Sequence, residues 1–177
     1  MKVFALLCFN KSTSSWISKA MESEIPMGAG HWKASDEDYH YHEDARACRI
    51  NREILSAAGG TWKDPPADYL IDLRVGDFRA DLVDYIRERE EEPRVQRLQA
   101  WGWKNPSTVL TWGHWADALQ AVGGRDVHLL PILRDPEAIG RSIGRRVIAM
   151  DEATGRDLAD YYHERIRRIV ETAFFRN

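Results

Sequence analysis

Two short apolar runs, each followed directly by a polar turn and a helical pattern, constrain the fold of this chain most strongly. The runs occupy residues 3–9 and 127–133, and both are almost continuously apolar. Such runs are typical of strands that are buried on both faces, which occur in parallel sheets covered by helices. The sequence therefore predicts an α/β protein built from strand–helix units.

The rest of the chain continues the same alternation of strands and helices. Residues 101–103 predict a third short strand, whereas residues 24–41 carry Pro, Gly, His and acids without periodicity and predict a loop. Helical spacing of apolar residues recurs in four further segments, 44–58, 78–86, 109–122 and 158–173. We expect one domain over residues 1–177, with a mainly parallel central sheet flanked by helices in three layers.

Charge and cysteine content exclude several classes of function. The net charge of −3 argues against nucleic-acid or membrane-surface partners, so any anion site must be local. Cys8 and Cys48 form no CxxC pair, and two thiols make neither a disulfide framework nor a zinc site. No segment is apolar enough over sufficient length to span a bilayer, and no cleavage site follows the run at 3–9. We therefore expect a cytoplasmic protein.

The charge cluster at 87–92 predicts a solvated helix end.

Three cations stand directly after the three predicted strands. They are Lys11, Lys104 and Arg134, and the last two are each followed by an Asx residue and a proline. Asn105 and Asp135 are therefore expected to be helix N-caps. Because the carboxyl ends of parallel strands meet at one edge, and helix N-termini favour anions, the three cations are expected to converge. A single cation of this kind is more often an exposed loop residue. Together they predict a site for a ligand with several negative groups.

The turns after the first and last predicted strands carry recognisable motifs. Residues 10–16 read Asn-Lys-Ser-Thr-Ser-Ser-Trp, and residues 134–136 read Arg-Asp-Pro, with Ser142 following. The first is similar to the Pro-Lys-Ser-Gly-Thr-Thr-Trp loop of sulfotransferases, which holds the 5′-phosphosulfate of the donor 3′-phosphoadenosine 5′-phosphosulfate (PAPS). The second resembles the 3′-phosphate site of that family, including the spacing from Arg to Ser.

Three more segments resemble motifs of bacterial-type sulfotransferases. Residues 103–106 resemble their Lys-Asp-Pro element. Residues 41–43, followed by Asn51, are similar to their Gly-Tyr-Phe-Glu and Asn motifs, and residues 59–66 to their Gly…Trp-Asp-Pro-Pro stretch. The resemblance extends from the first strand to about residue 146, and the set in this order is more specific than any one motif.

The resemblance implies how the donor PAPS is held. Lys11 would contact the bridging oxygen of the departing nucleotide, and Lys104 would meet the oxygens of the transferring sulfuryl group. Arg134 and Ser142 would bind the 3′-phosphate, with Arg146 as a third residue. The loop residues that would hold the 5′-phosphate are Ser12, Thr13, Ser14 and Ser15.

The resemblance also implies the reaction. A P-loop-type fold would move a sulfuryl group from PAPS to a hydroxyl or amine of a small-molecule or carbohydrate acceptor, without a metal. The general base would be Glu43 or His42. The sequence does not name the acceptor, and it leaves open whether the chain forms a homo-oligomer.

Two departures from the family pattern keep other functions open. Thr13 stands where the family has glycine, whose positive φ curls the loop around phosphate, so we expect a reshaped loop or weaker binding. The chain ends at Asn177, before the strand and basic segment that close the family's nucleotide site, so we expect a shortened domain. One alternative is a P-loop phosphotransferase, although a complete Walker A motif is absent. Another is a non-catalytic relative that binds nucleotide or a partner.

Overall fold

The chain folds around a three-stranded parallel sheet. In the computed structural model, which describes residues 1–28, 31–33, 40–123, 125–145 and 150–174, strands and helices alternate. They are, in chain order, β1 (Lys2–Cys8), α1 (Ser14–Met21), β2 (His31–Lys33), β3 (His40–Asp44), α2 (Ala45–Ala57), α3 (Asp68–Asp72), α4 (Arg79–Glu91), α5 (Pro93–Leu98), β4 (Ala100–Lys104), α6 (Thr108–Val122), β5 (Asp126–Ile132), α7 (Pro136–Gly144) and α8 (Glu152–Phe174). The predicted α/β class, with a parallel sheet flanked by helices, is confirmed.

The order and register of the strands bring three chain segments to one edge. β1 lies between β4 and β5 and is parallel to both. Leu6 of β1 lies opposite Lys104, and Cys8 lies opposite Ile132. The carboxyl ends of all three strands therefore meet at one edge of the sheet, where open α/β sheets bind their ligands.

A cluster of large aromatic rings fixes the end of β4. Trp103 stacks on Trp115 of α6 with ring centroids 4.4 Å apart, and Trp101 packs 5.5 Å from Trp103. Tyr85 of α4 meets Trp101 edge-on. All four side chains are buried, and rings of this size dominate the energetics of a core. The backbone that leads to Lys104 is therefore held on a rigid base.

Two expectations about strands need correction. The run at 127–133 is not a fully buried strand, because the side chains of β5 are partly or largely exposed and Leu133 after it is 48% exposed. The segment 24–41 is not wholly a loop, because β2 and β3 form an antiparallel pair. Neither strand of that pair has the alternation of apolar residues that predicts strands.

The charge cluster at 87–92 ends α4 as its composition indicates, but it is solvated only in part: Arg87, Glu88 and Glu91 are exposed, and two other members are not. Arg89 and Glu90 are buried, and each has an oppositely charged partner. Arg89 pairs with Glu92 at 2.5 Å and donates to the carbonyl of Pro26, while Glu90 pairs with Arg125. Paired charges tolerate burial that isolated charges do not.

In the described ranges, no helix combines the length and the apolar character needed to cross a membrane.

Candidate functional site

The loop between β1 and α1 has an unusual backbone. Lys11 and Thr13 have φ angles of 61° and 66°, in the left-handed region, whereas Ser12 between them does not. That region costs a residue with a Cβ atom about 1–2 kcal/mol. Backbone of alternating hand turns successive N–H groups toward one point, and such concavities bind anions. Thr13, at the position of the family's glycine, thus adopts a left-handed φ despite its Cβ atom.

The side chains of this loop differ in accessibility. Ser12 and Ser14 are buried beside the Cys8 thiol, whereas Thr13 is exposed and Lys11 and Ser15 are partly exposed. The hydroxyls of Ser12 and Ser14 therefore lie inside the protein. The polar side chains that this loop presents to a ligand are those of Lys11, Thr13 and Ser15.

Arg134 connects the end of β5 to this loop and opens a basic cavity. Its Nη1 donates to the carbonyl oxygen of Lys11 at 2.7 Å. A cavity of about 240 Å³ lies beside it. We call it the arginine pocket; its polar lining residues are Arg134, Arg141, Ser142 and Arg145. Arg141 lies 3.9 Å from Asp135, which caps α7 as predicted. The arginine pocket is thus strongly positive and opens next to the β1–α1 loop.

Lys104, at the end of β4, is buried in an ion pair. The residue is 2% exposed, and its Nζ lies 2.5 Å from Oε1 of Glu43 on β3. Burial is the largest single influence on the pKa of Lys104 and lowers it, but the charge and hydrogen bond of Glu43 together with the Cys8 and Cys48 side chains outweigh burial, so the pKa is raised and Lys104 stays cationic. The Lys104 charge also opposes the rise that burial causes in the pKa of Cys8, at the end of β1. Lys104 therefore lies close to the point where β1 runs into its loop.

Glu43 is held by donors on both of its oxygens. Lys104 donates to Oε1, while the amide of Asn105 donates to Oε2 at 2.9 Å and the Cys48 thiol donates to the same oxygen at 3.2 Å. Burial and, next, the negative charge of Glu43 raise the pKa of Cys48, so the thiol stays protonated. Since the thiolate is the nucleophile, Cys48 serves here as a donor and not as a reactive group.

Asn51, which is buried in the core, determines which way the side-chain amide of Asn105 points. The indole of Trp115 can only donate, so the Asn51 atom that faces it at 2.8 Å is the carbonyl Oδ1. Nδ2 of Asn51 must then face Asn105, whose nearest atom is Oδ1 at 2.8 Å. Nδ2 of Asn105 is consequently turned toward Glu43. We name Glu43, Cys48, Asn51, Lys104 and Asn105 the Glu43 cluster.

Asn105 does not cap a helix in the expected way. α6 begins at Thr108, three residues after Asn105, and the N-cap residue is Ser107. Oδ1 of Asn105 accepts from the Ser107 backbone at 3.1 Å, which forms a turn before the helix. The amide nitrogen is thereby available for Glu43. Asn105 makes the side-chain contact expected of an N-cap, although α6 itself begins at Thr108.

A cavity of about 600 Å³ opens against the Glu43 cluster. Glu43, Cys48 and Asn105 line its buried end, and Arg52, Trp62 and Lys63 are among its other lining residues. This volume lies within the range of small-molecule sites, about 300–1,000 Å³. The cavity therefore places Glu43 where a small molecule can reach it.

The structure brings most of the predicted site residues to one edge of the sheet. Lys104 is the last residue of β4, and Lys11 and Arg134 come shortly after β1 and β5, so the three cations stand at the ends of neighbouring parallel strands, as the sequence predicts. Glu43 joins them through Lys104. His42 is partly buried beside Glu43 on β3, but Glu43 is the residue of the two that lines the large cavity. Arg146 lies outside the described residues.

Comparisons of the chain with models of protein families, with curated proteins and with solved structures found no match.

Sequence reasoning missed several residues of the site. The sequence gives Cys48 no functional role, yet its thiol contacts Glu43. Asn51 belongs to a motif in which the sequence gives it no role, and no motif includes Arg141 or Arg145. One signal in the sequence could have found the two arginines. They are four residues apart, and this spacing places them on one side of α7 and its C-terminal cap.

Proposed function

We propose that this chain is a sulfotransferase with a P-loop-type three-layer fold, which moves a sulfuryl group from PAPS to an acceptor hydroxyl or amine. The observation that carries the proposal is the meeting of Lys11, Lys104 and Arg134 at the carboxyl edge of one parallel sheet. Arg134 contacts the loop that bears Lys11. A donor with phosphate groups at both ends matches two adjacent positive regions, the β1–α1 loop and the arginine pocket.

The residues of the arginine pocket fit a phosphate monoester such as the 3′-phosphate. Three guanidinium groups and one hydroxyl converge on about 240 Å³. Arginine is the residue best matched to phosphate, because its planar fork donates two parallel hydrogen bonds. PAPS supplies an activated sulfuryl group and a phosphate leaving group. Arg134, Arg141, Ser142 and Arg145 would hold its far end and fix its direction along the sheet edge.

The transfer step depends more on stabilisation of charge in the transition state than on covalent catalysis by the protein. The acceptor oxygen forms a bond to sulfur while the bond from sulfur to the bridging phosphate oxygen breaks. The bonding pair leaves with the phosphate, whose new charge Lys11 neutralises. Lys104, which stays cationic, stabilises charge on the sulfuryl oxygens. Preorganised cations of this kind are usually the largest contribution to catalysis of such transfers.

Glu43 is the base that this geometry favours. A carboxylate offers about four lone-pair positions, two on each oxygen. Asn105 and Cys48 use those of Oε2, whereas Lys104 is the donor on Oε1. Oε1 can therefore accept one further hydrogen bond, and it would take the proton of an acceptor hydroxyl bound in the large cavity. The contact with Lys104 keeps that oxygen next to the cation that faces the sulfuryl group.

The test of donor binding is a calorimetric titration with the product, 3′-phosphoadenosine 5′-phosphate. We expect binding to the wild type, and binding about tenfold weaker in Arg134→Ala, because one charge-assisted contact is worth about 1.5–3 kcal/mol before compensation. Arg167→Ala, at an exposed position of α8, is the matched control and should bind as the wild type does. Absence of binding to the wild type would refute the donor assignment.

The test of activity is transfer of labelled sulfuryl from PAPS to a panel of small phenols and sugars. Transfer by the wild type, lost in Lys11→Ala, supports the proposal. Two other results would contradict it. Binding of ATP with magnesium but not of the bisphosphate would favour a phosphotransferase. Binding of the bisphosphate without any transfer would favour a non-catalytic nucleotide-binding protein.

A further inference from the structure

Three side chains form a closed ring of hydrogen bonds around Oε2 of Glu43. Nδ2 of Asn105 donates to this oxygen and also to Sγ of Cys48, and both distances are 2.9 Å. Sγ of Cys48 lies 3.2 Å from the same Oε2. An amide nitrogen carries two hydrogens, so Asn105 can serve the carboxylate and the thiol at the same time. Cys48 is therefore tied to Glu43 both directly and through Asn105.

The direction of every hydrogen bond in this ring is fixed. An amide nitrogen can only donate, and a carboxylate can only accept. Sγ of Cys48 must therefore accept from Asn105 and donate its own proton to Glu43. Burial and, next, the charge of Glu43 raise the pKa of Cys48, so the thiol keeps the proton that this role requires. The amide and the thiol thus both point at Oε2.

The ring is anchored in the core through the other end of the Asn105 amide. Oδ1 of Asn105 accepts from Nδ2 of Asn51 at 2.8 Å and from the Ser107 backbone at 3.1 Å. Asn51 is fully buried, and Asn105 is 6% exposed. A flip of the Asn105 amide would break both contacts and turn its oxygen toward Glu43. The donors that face Oε2 are therefore in place before a ligand binds.

The donors on the two oxygens of Glu43 differ in charge. The Asn105 amide and the Cys48 thiol are electrically neutral, whereas the donor on Oε1 is the Lys104 ammonium. A charged donor favours the anionic form of its acceptor more strongly than a neutral donor does. A second cation on the carboxylate would hold it firmly but would oppose its protonation. The ring therefore suits a carboxylate that must stay in one place and still take up a proton.

A glutamate that acts as a base needs such support because its side chain is long and flexible. Holding it costs more rotamer entropy than holding most side chains, and a catalytic group must lie within about 0.5 Å of its productive position. The Glu43 carboxylate cannot rotate without breaking contacts to Cys48, Lys104 and Asn105. The two donors on Oε2 therefore leave Oε1 as the oxygen that accepts the proton.

We propose that Cys48 is a positioning residue for the base Glu43, and that it holds Oε2 together with Asn105 so that Oε1 takes the proton of the acceptor. The thiol keeps its own proton and forms no bond to the substrate. The role of Glu43 as base rests on the proposed function, whereas the role of Cys48 rests on the hydrogen-bond ring.

The kinetic test compares Cys48→Ala with Cys48→Ser in single-turnover transfer from PAPS, which separates the chemical step from product release. We expect the rate of Cys48→Ala to fall about fivefold, the effect of one ordinary hydrogen bond, while KM for the acceptor changes by less than about twofold. Cys48→Ser should recover to within about twofold of the wild type, because a hydroxyl can accept from Asn105 and donate to Glu43. Ser56→Ala is the matched control and should react as the wild type does, since Ser56 lines the same cavity about two turns further along α2.

The spectroscopic test observes the thiol itself by infrared absorption and needs no substrate. The S–H stretching band of Cys48 is assigned by its loss in Cys48→Ser. It should lie at lower wavenumber in the wild type than in Glu43→Gln, because a carboxylate accepts a stronger hydrogen bond than an amide oxygen does. The glutamine of that variant still offers Lys104 an oxygen.

The two tests separate the role of Cys48 from the identity of the reaction. If the S–H band shifts as expected but the bisphosphate does not bind and no transfer occurs, the proposed reaction fails and the hold of Cys48 on Glu43 stands. If transfer occurs and Cys48→Ala keeps the full single-turnover rate, or Cys48→Ser is as slow as Cys48→Ala, the reaction stands and the positioning role fails. An S–H band at the same wavenumber in the wild type and in Glu43→Gln would also overturn that role. A lower melting temperature in Cys48→Ala with an unchanged rate would show that the thiol serves packing alone.

Discussion

The Glu43 cluster and the arginine pocket lie at the same edge of the sheet but are built on opposite principles. In the Glu43 cluster, opposite charges and amides satisfy one another inside the protein, and Asn51 alone makes four hydrogen bonds. In the arginine pocket, three like charges share one cavity and Asp135 lies 3.9 Å from one of them. The first region contributes to the stability of the fold. In the second region the three guanidinium groups repel one another, and an anionic ligand would relieve that repulsion.

Lys11 lies between the two regions and gives the largest expected effect. We expect Lys11→Ala to lower kcat for sulfuryl transfer by about 10²–10³-fold, the cost of removing one preorganised charge-stabilising group. The contact of Arg134 with Lys11 is kept in this variant, because it uses the backbone carbonyl of residue 11. Lys19→Ala, on the exposed surface of α1, is the control in the same assay. Wild-type kcat in Lys11→Ala would remove the proposed chemistry.

The substitution Asn51→Leu tests whether the Glu43 cluster stabilises the fold more than the arginine pocket does. The substitution leaves the Trp115 indole and the Thr111 and Asn105 side chains without their buried partner, and each unsatisfied group costs about 1–3 kcal/mol. We expect a loss of at least about 3 kcal/mol in the free energy of unfolding, measured by urea denaturation. Arg141→Ala, in the arginine pocket, should change it by less than about 0.5 kcal/mol or increase it. Equal losses in the two variants would contradict the contrast between the regions.

The buried thiol of the Glu43 cluster predicts a pH dependence of stability. Burial and the charge of Glu43 raise the pKa of Cys48 in the folded state. A raised folded pKa gives stability that is complete below the unfolded pKa of about 8.5 and is lost as the pH rises above it. Between pH 7 and pH 10, we expect the wild type to lose more unfolding free energy than Cys48→Ala, by up to about 1.4 kcal/mol per pH unit above 8.5. The same loss in both proteins would show that the thiol titrates normally.

Thr13→Gly tests the loop beside the arginine pocket and has the smallest expected effect. Threonine in the left-handed region is strained, and glycine is not, although glycine gains entropy in the unfolded chain. We expect a net gain of about 1 kcal/mol in the free energy of unfolding. Thr13→Ala still carries a Cβ atom and should gain less. A loss of stability in Thr13→Gly would mean that the threonine side chain stabilises the loop by more than its strain.

The sequence predicts the strands and helices well where apolar spacing is clear. β1, β4, α2 and α6 lie within one or two residues of their expected bounds, because each buries a regular apolar pattern. The hairpin of β2 and β3 was missed, since neither strand has that pattern. The partial exposure of β5 was missed because an apolar run does not tell how completely other elements will cover a strand.

The candidate site divides in the same way. The convergence of Lys11, Lys104 and Arg134 follows from the parallel sheet, which the alternation of strands and helices in the sequence already predicts. The ion pair of Lys104 with Glu43 joins residues that are 61 positions apart, and the contact of Asn51 with Asn105 joins residues 54 apart. No local pattern encodes such pairs. They arise only when the aromatic core has brought α2, β3 and β4 together.

The most direct test of the central claim is a crystal structure of the protein with 3′-phosphoadenosine 5′-phosphate. We predict the 3′-phosphate between Arg134 and Ser142 in the arginine pocket, and the 5′-phosphate against the backbone of residues 11–13. A nucleotide bound elsewhere, for example with its phosphates beside Lys63, would contradict the account.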